Sequence, residues 1–256
     1  MIPQRNTTST RTSELIETTT TKKIFKLLSG TARYSQFSFL FGPTGRGKTF
    51  AARSWLDTHG PGAYIRAETG STQSRLRRNL SRALFGEEDG RPSDIRKYIA
   101  ARPGFVLIVD ECNHLIGNAT RAGANNLDSI RDYYDDIADN GGRFGVCFIF
   151  TDYSLDRLRK CRLAGFLEQF IHRGDNHLAL PSKISRAYEV APIVKRIIPD
   201  ADDALIDAAA SIGNIRAIFK RLTVLRDFAA KNQSPVTAEM LIATQQMFES
   251  GRWEDE

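Results

Sequence analysis

Eight residues constrain this chain more than any others: Gly42-Pro43-Thr44-Gly45-Arg46-Gly47-Lys48-Thr49. They follow the apolar run 37–41 and lead, from Phe50, into a helix-like stretch over 50–56. The pattern is G-x-x-x-x-G-K-[ST] in full, in the strand, loop, helix setting that a phosphate-binding loop needs. Its glycines let the backbone curl so that successive N–H groups point inward. The start of the following helix adds partial positive charge for a bound anion. Lys48 is placed to neutralise the β and γ phosphates, and the Thr49 hydroxyl to ligate Mg²⁺. A plain glycine turn between a strand and a helix needs neither a lysine nor a threonine at those positions. Residues Gly42 through Phe50 are therefore read as the nucleotide-binding segment.

Around this loop, apolar runs alternate with helical periodicity. Strands are predicted at 37–41, 63–67, 105–109, 145–150 and 178–181. Helices are predicted at 22–28, 50–56, 74–84, 93–101 with Ser93 as cap, 127–139 and 155–172. The run Phe105-Val106-Leu107-Ile108-Val109 has no alternation, the mark of a central strand covered on both faces. The stretch 115–126, rich in Gly and Asn, reads as an exposed loop. This is the order of an α/β fold, a three-layer αβα sandwich on a parallel sheet. After Pro181 the strands stop. Helical stretches at 185–198, 202–211, 214–230 and 237–249, punctuated by Pro199, Gly213 and Pro235, predict a small C-terminal helical domain. Residues 1–22, with runs of Thr and few large apolar side chains, read as a flexible arm. The expected division is 1–22 arm, 23–182 nucleotide-binding core, 183–256 helical domain.

Three further features carry chemistry. The central strand ends in Asp110-Glu111, where a carboxylate beside the loop can hold Mg²⁺ and its neighbour can orient and deprotonate a water. Thr151 ends the next apolar strand and, in a parallel sheet, faces the same crevice. Asp152 is its alternative. Gly213-Asn214-Ile215-Arg216 opens a long helix of the second domain, from which Arg216 can reach a phosphate across the cleft.

In this order the four features resemble the AAA+ ATPases, over residues 22–249. The resemblance implies Mg²⁺-dependent ATP hydrolysis, with Glu111 catalytic, Thr49 and Asp110 at the metal, Thr151 as sensor 1, Arg216 as sensor 2 and the helical domain as the lid. It also implies an arginine supplied by a neighbouring subunit just before the last core strand. Arg173 matches that place, with Arg157, Arg159 and Arg162 as rivals. The short lid and the continuation Asp-Glu-Cys-Asn-His-Leu are similar to the branch of Mu B-type target-DNA activators and transposon regulator ATPases.

Charge bears on that branch. The net charge is +6 and the pI about 9.3, which suits a polyanionic partner. Arg75, Arg77, Arg78 and Arg82 on the helix over 74–84, with Arg121 in the 117–126 stretch, are the candidate contacts to duplex DNA. Arginines tracking the phosphate backbone give sequence-tolerant, salt-sensitive binding. The implied partners are double-stranded DNA, a transposase and further copies of the chain in a helical filament or ring. The alternatives are a replication initiator or loader ATPase, and a secretion-associated assembly ATPase without DNA. Cys112, Cys147 and Cys161 lack metal-ligand spacing and read as reduced thiols. The four histidines, His59, His114, His172 and His177, form no ligand set. With no apolar stretch of spanning length or signal core, the expected location is the cytoplasm of a bacterium or of a phage-infected host.

Overall fold

The computed structural model describes residues 15–68, 72–116, 121–151, 174 and 176–250. Five strands form one parallel sheet: β1 (Phe37–Gly42), β2 (Gly62–Arg66), β3 (Val106–Asp110), β4 (Gly145–Thr151) and β5 (Asn176–Ala179), in the order β2-β3-β4-β1-β5. The strand that feeds the glycine loop and the strand that ends in Asp110 are thus separated by β4 alone. Their carboxyl ends share one edge of the sheet, and Gly42 pairs in register with Thr151.

Strand side chains alternate between two apolar layers. Phe37, Phe39, Phe41, Leu107, Val109, Phe148 and Phe150 face one side, under α3 (Gln73–Phe85), α4 (Pro92–Ala100) and α6 (Arg121–Asp139). Leu40, Val106, Ile108, Cys147 and Ile149 face the other, under α1 (Thr19–Tyr34) and α2 (Lys48–His59), with Trp55 fully buried between them. This is a three-layer sandwich, and burial on both faces explains why the central strands show unbroken apolar runs. Phe39 stacks on Phe148 and Phe41 on Phe150, locking β1 to β4 immediately below the loop.

The C-terminal helical region, labelled the lid below, has its own core. A one-turn π-helix (Arg186–Val190), α7 (Ala191–Ile197), α8 (Asp203–Ser211), α9 (Ile215–Lys231) and α10 (Ala238–Ser250) pack through Val190, Val194, Leu205, Ile218, Leu222 and Leu241. Ile16, ahead of α1, packs against this cluster. Ile16 and the helical residues from Thr19, expected in the loose arm, are therefore part of the packed structure; residues 1–14 lie outside the described set.

Three local readings change. Helix α1 starts at Thr19, capped by the Thr18 hydroxyl. Thr20, Thr21 and Thr31 are buried with their hydroxyls hydrogen-bonded, so β-branched residues of modest helix propensity are held by tertiary partners. Helix α4 is capped at Arg91 with Pro92 at its first position, where a fixed φ favours helix entry, so Ser93 is already inside. Helix α6 begins at Arg121, six residues into the expected loop. It buries Leu127, Ile130 and Ile137 on the sheet, and that packing extends the helix through Gly and Asn residues that alone would favour a turn.

Candidate nucleotide site

The glycine loop has the backbone its sequence demands. Gly45 and Gly47 have φ of +77° and +78°, left-handed values that cost other residues roughly 1–2 kcal/mol. Between them the chain turns tightly into α2, which starts at Lys48. The Lys48 ammonium donates to the carbonyls of Gly42 (2.7 Å) and Pro43 (2.8 Å), so the cation spans the mouth of the loop.

The Thr49 hydroxyl donates to Asp110 Oδ2 at 2.6 Å. Tyr64, from β2, donates to the same oxygen at 2.7 Å, and the Glu111 N–H donates to Oδ1 at 2.7 Å. Asp110 is 1% exposed, so these three bonds fix a buried carboxylate. Two hard oxygen donors, Thr49 Oγ1 and Asp110 Oδ2, converge beside the loop, and this pair fits Mg²⁺. Tyr64 sits under the Arg53 guanidinium, 4.2 Å from the ring centroid. Burial, and then its bond to Asp110, push the Tyr64 phenol well above its ordinary value, so it stays a donor.

Glu111 has φ +56°, a left-handed conformation that few non-glycine residues adopt. The strain is held by the turn that follows, where Cys112 N–H donates to the Ile149 carbonyl and His114 N–H to the Glu111 carbonyl. The Glu111 carboxylate lies 3.5 Å from Arg66 Nη2 on one oxygen and accepts from Thr151 Oγ1 at 3.4 Å on the other. Thr151 is in turn gripped by Asn113, whose amide donates to the Thr151 hydroxyl and carbonyl and accepts from its N–H at 3.1 Å. Lys48, Thr49, Asp110, Glu111 and Thr151 thus occupy one edge of the sheet.

The C-terminal helical region meets this edge. A Cβ placed on Gly45 would lie 2.4 Å from the Asn214 side chain. Asn214 caps α9 by accepting from the Ala217 N–H, and Arg216, exposed, is the second residue of that helix. The helix start singled out in the sequence therefore meets the loop directly, through Asn214 and not through a described contact of Arg216.

A sequence profile of the AAA domain family matches residues 32–158, from the end of α1 past Thr151. Over that span the chain is similar to AAA domains. Among solved structures it is similar to the Walker-type ATPase paby2304 of Pyrococcus abyssi, at a TM-score of 0.62 and 15% identity, covering 95% of this chain and 76% of that one. It is also similar to NtrX of Brucella abortus, solved in complex with ATP, at a TM-score of 0.57 and 17% identity, covering 90% of this chain and 56% of that one. At such identities these two likenesses speak for the fold. No curated protein matches the chain in sequence.

Other expected positions fare variously. Arg46 is 2% exposed, and its side chain turns to Glu189 of the lid at 2.8 Å, so it contributes to the glycine loop through backbone. Thr44 and Phe50 are exposed beside the loop. Of the basic residues on α3, Arg75 pairs with Glu68, Arg77 donates to the Gly90 carbonyl at 3.2 Å and Arg82 pairs with Glu88. Arg78 is exposed. Arg121 stands at the first position of α6. Arg173, its rivals Arg157, Arg159 and Arg162, and Asp152 lie outside the described residues. Sequence reasoning passed over Arg66, Tyr64, Asn113 and Asn214. The rule that selected Thr151, a polar residue at the carboxyl end of a parallel strand, applies equally to Arg66. Tyr64, buried by register on β2, gave no such signal.

Among the described residues, no helix is long and apolar enough to cross a membrane.

Proposed function

We propose that this protein hydrolyses ATP with Mg²⁺ and uses the nucleotide state to assemble on duplex DNA, presenting that DNA to a transposase. The observation that carries the hydrolytic reading is the meeting of Lys48, Thr49, Asp110, Glu111 and Thr151 at one sheet edge. ATP as the nucleotide is supported by the ATP complex of the similar NtrX structure. Loop N–H groups and Lys48 bind the phosphates. Thr49 and Asp110 are the residues that would hold Mg²⁺, whose charge would offset that of the phosphates. Glu111 orients a water and accepts its proton; Thr151 holds that carboxylate and, through Asn113, is itself held. Arg216 contacts phosphate from the lid, and Arg173 of a neighbouring copy completes the site in trans.

The assembly and DNA parts rest on the resemblance and on charge. With Arg75, Arg77 and Arg82 engaged internally, Arg78 and Arg121 are the first candidates for backbone contacts. The test is binding to random-sequence duplex DNA over a salt series, with and without a non-hydrolysable ATP analogue. ATP-dependent binding that weakens steeply with salt and is lost in Lys48→Ala supports the reading. Binding equal in Lys48→Ala and the wild type would sever DNA from nucleotide. No binding at any salt would favour the secretion-type alternative, and binding that tracks a partner loader would favour the replication alternative.

A further inference from the structure

The glycine loop contains a buried charged side chain that its phosphate chemistry does not use. Arg46 lies between the two left-handed glycines, and its side chain is 1% exposed. Its Nη2 donates to Glu189 Oε2 at 2.8 Å, in the π-helical turn where the lid begins. Glu189 is also buried and accepts from two more donors: the Ser185 N–H at 3.2 Å on Oε2, and the Thr20 hydroxyl on Oε1. Thr20 belongs to the first turn of α1, and Ile16, four residues earlier, packs against the lid core. Arg46 Nε and Nη1 have no hydrogen-bond partner among the described residues. One carboxylate therefore joins the loop, the lid and the start of α1, and the guanidinium opposite it has donors left over.

We propose that Thr20, Glu189 and Arg46 form a latch through which nucleotide in the loop fixes the start of α1 and the root of the lid, with Glu189 as its positioning residue. The physical route is short. A nucleotide bound by the loop N–H groups selects one conformation of the 45–47 backbone. That conformation carries Arg46, a single residue with glycine freedom on either side, to one place. A buried ion pair tolerates little displacement, because each charge left without its partner is costly in a desolvated site. Fixing Arg46 therefore fixes Glu189, and Glu189 fixes Thr20. By linkage, whatever tightens the latch tightens nucleotide binding by the same factor.

The proposal rests on the nucleotide reading of the loop, and hydrogen exchange separates the two. In the wild-type protein, a non-hydrolysable ATP analogue with Mg²⁺ should slow exchange in peptides covering 18–24 and 185–191 by about fivefold or more, the low end of coupling between sites. In Glu189→Gln at saturating analogue, slowing should persist over the loop and disappear from both peptides. Thr20→Val, which keeps the ion pair, should lose the slowing over 18–24 alone. A merely structural role predicts faster exchange in these peptides with and without analogue, and an unchanged ratio between the two conditions. If Glu189→Gln keeps the wild-type ratio, or if both peptides in the wild type ignore bound analogue, the latch is wrong. Should Glu189→Gln not fold, Thr20→Val decides by the same ratio. Failure of the wild-type protein to bind the analogue at all removes the nucleotide reading itself, and the latch with it.

Discussion

Replacing Gly45 by alanine tests whether the lid rests on the loop. Gly45 and its neighbour Gly47 share nearly the same φ, +77° and +78°, so alanine at either costs roughly 1–2 kcal/mol in backbone conformation. Their surroundings differ. A Cβ at Gly47 meets nothing within 4 Å, whereas one at Gly45 would stand 2.4 Å from Asn214. Relief of that overlap requires the Asn214 side chain to leave its capping position on the Ala217 N–H or the helix start to move, at a cost of about 1–3 kcal/mol. Gly45→Ala should therefore destabilise by about 2–5 kcal/mol and Gly47→Ala by the backbone term alone. Glycine is tolerated at a helix N-cap, so Asn214→Gly should cost only a few tenths of a kcal/mol by itself. Combined with Gly45→Ala it should recover about 1–3 kcal/mol. Urea unfolding of the four variants, followed by far-UV circular dichroism, gives this cycle. Equal losses for the two alanine variants, or a double variant additive to within about 0.5 kcal/mol, would refute contact between the lid and the loop.

Other consequences are more direct. Tyr64→Phe removes one of three bonds on the Asp110 carboxylate. It should raise the Mg²⁺ concentration for half-maximal binding about tenfold, measured by Mn²⁺ displacement with nucleotide present. An unchanged midpoint would relieve Tyr64 of any positioning role. Asn113→Ala should release Thr151 and lower kcat about tenfold to a hundredfold with little change in KM. A change confined to KM would place Asn113 in substrate binding instead. Burial pushes the Cys147 thiol up to about 12 and the Cys112 thiol well above its usual value. Unfolded thiols ionise near 9.0, so the folded state holds more protons above that pH. The stability these groups contribute is complete below pH 9 and lost as pH rises towards 12. In a Cys161→Ser background, both should resist a thiol reagent at pH 8 until urea unfolds the protein. Prompt labelling under native conditions would contradict their burial.

Where one physical signal dominated, the sequence was transparent. Unbroken apolar runs marked strands buried on both faces. A loop whose glycines must take positive φ marked the turn into α2, and carboxyl-end polar residues marked the site edge. Signals that depend on distant partners did not show. The Thr run before Lys22 looks unable to bury anything, yet Thr20 and Thr21 are buried because Glu189 and local acceptors satisfy their hydroxyls. The Gly and Asn content of 121–126 suggested a loop, but the apolar face from Leu127 onward draws these residues into α6. By position Arg46 belonged to the nucleotide-binding segment. Its side chain instead answers a carboxylate 143 residues away, a pairing that no local pattern encodes.

The central claim is that Lys48 binds the nucleotide and Glu111 turns it over in one site. Single-turnover hydrolysis of radiolabelled ATP, run beside equilibrium binding for wild type, Lys48→Ala and Glu111→Gln, tests it most directly. The account predicts that Lys48→Ala fails to bind, and that Glu111→Gln binds like wild type but holds its ATP intact through times at which wild type has cleaved it. Cleavage by Glu111→Gln at the wild-type rate, or undiminished binding by Lys48→Ala, would contradict it.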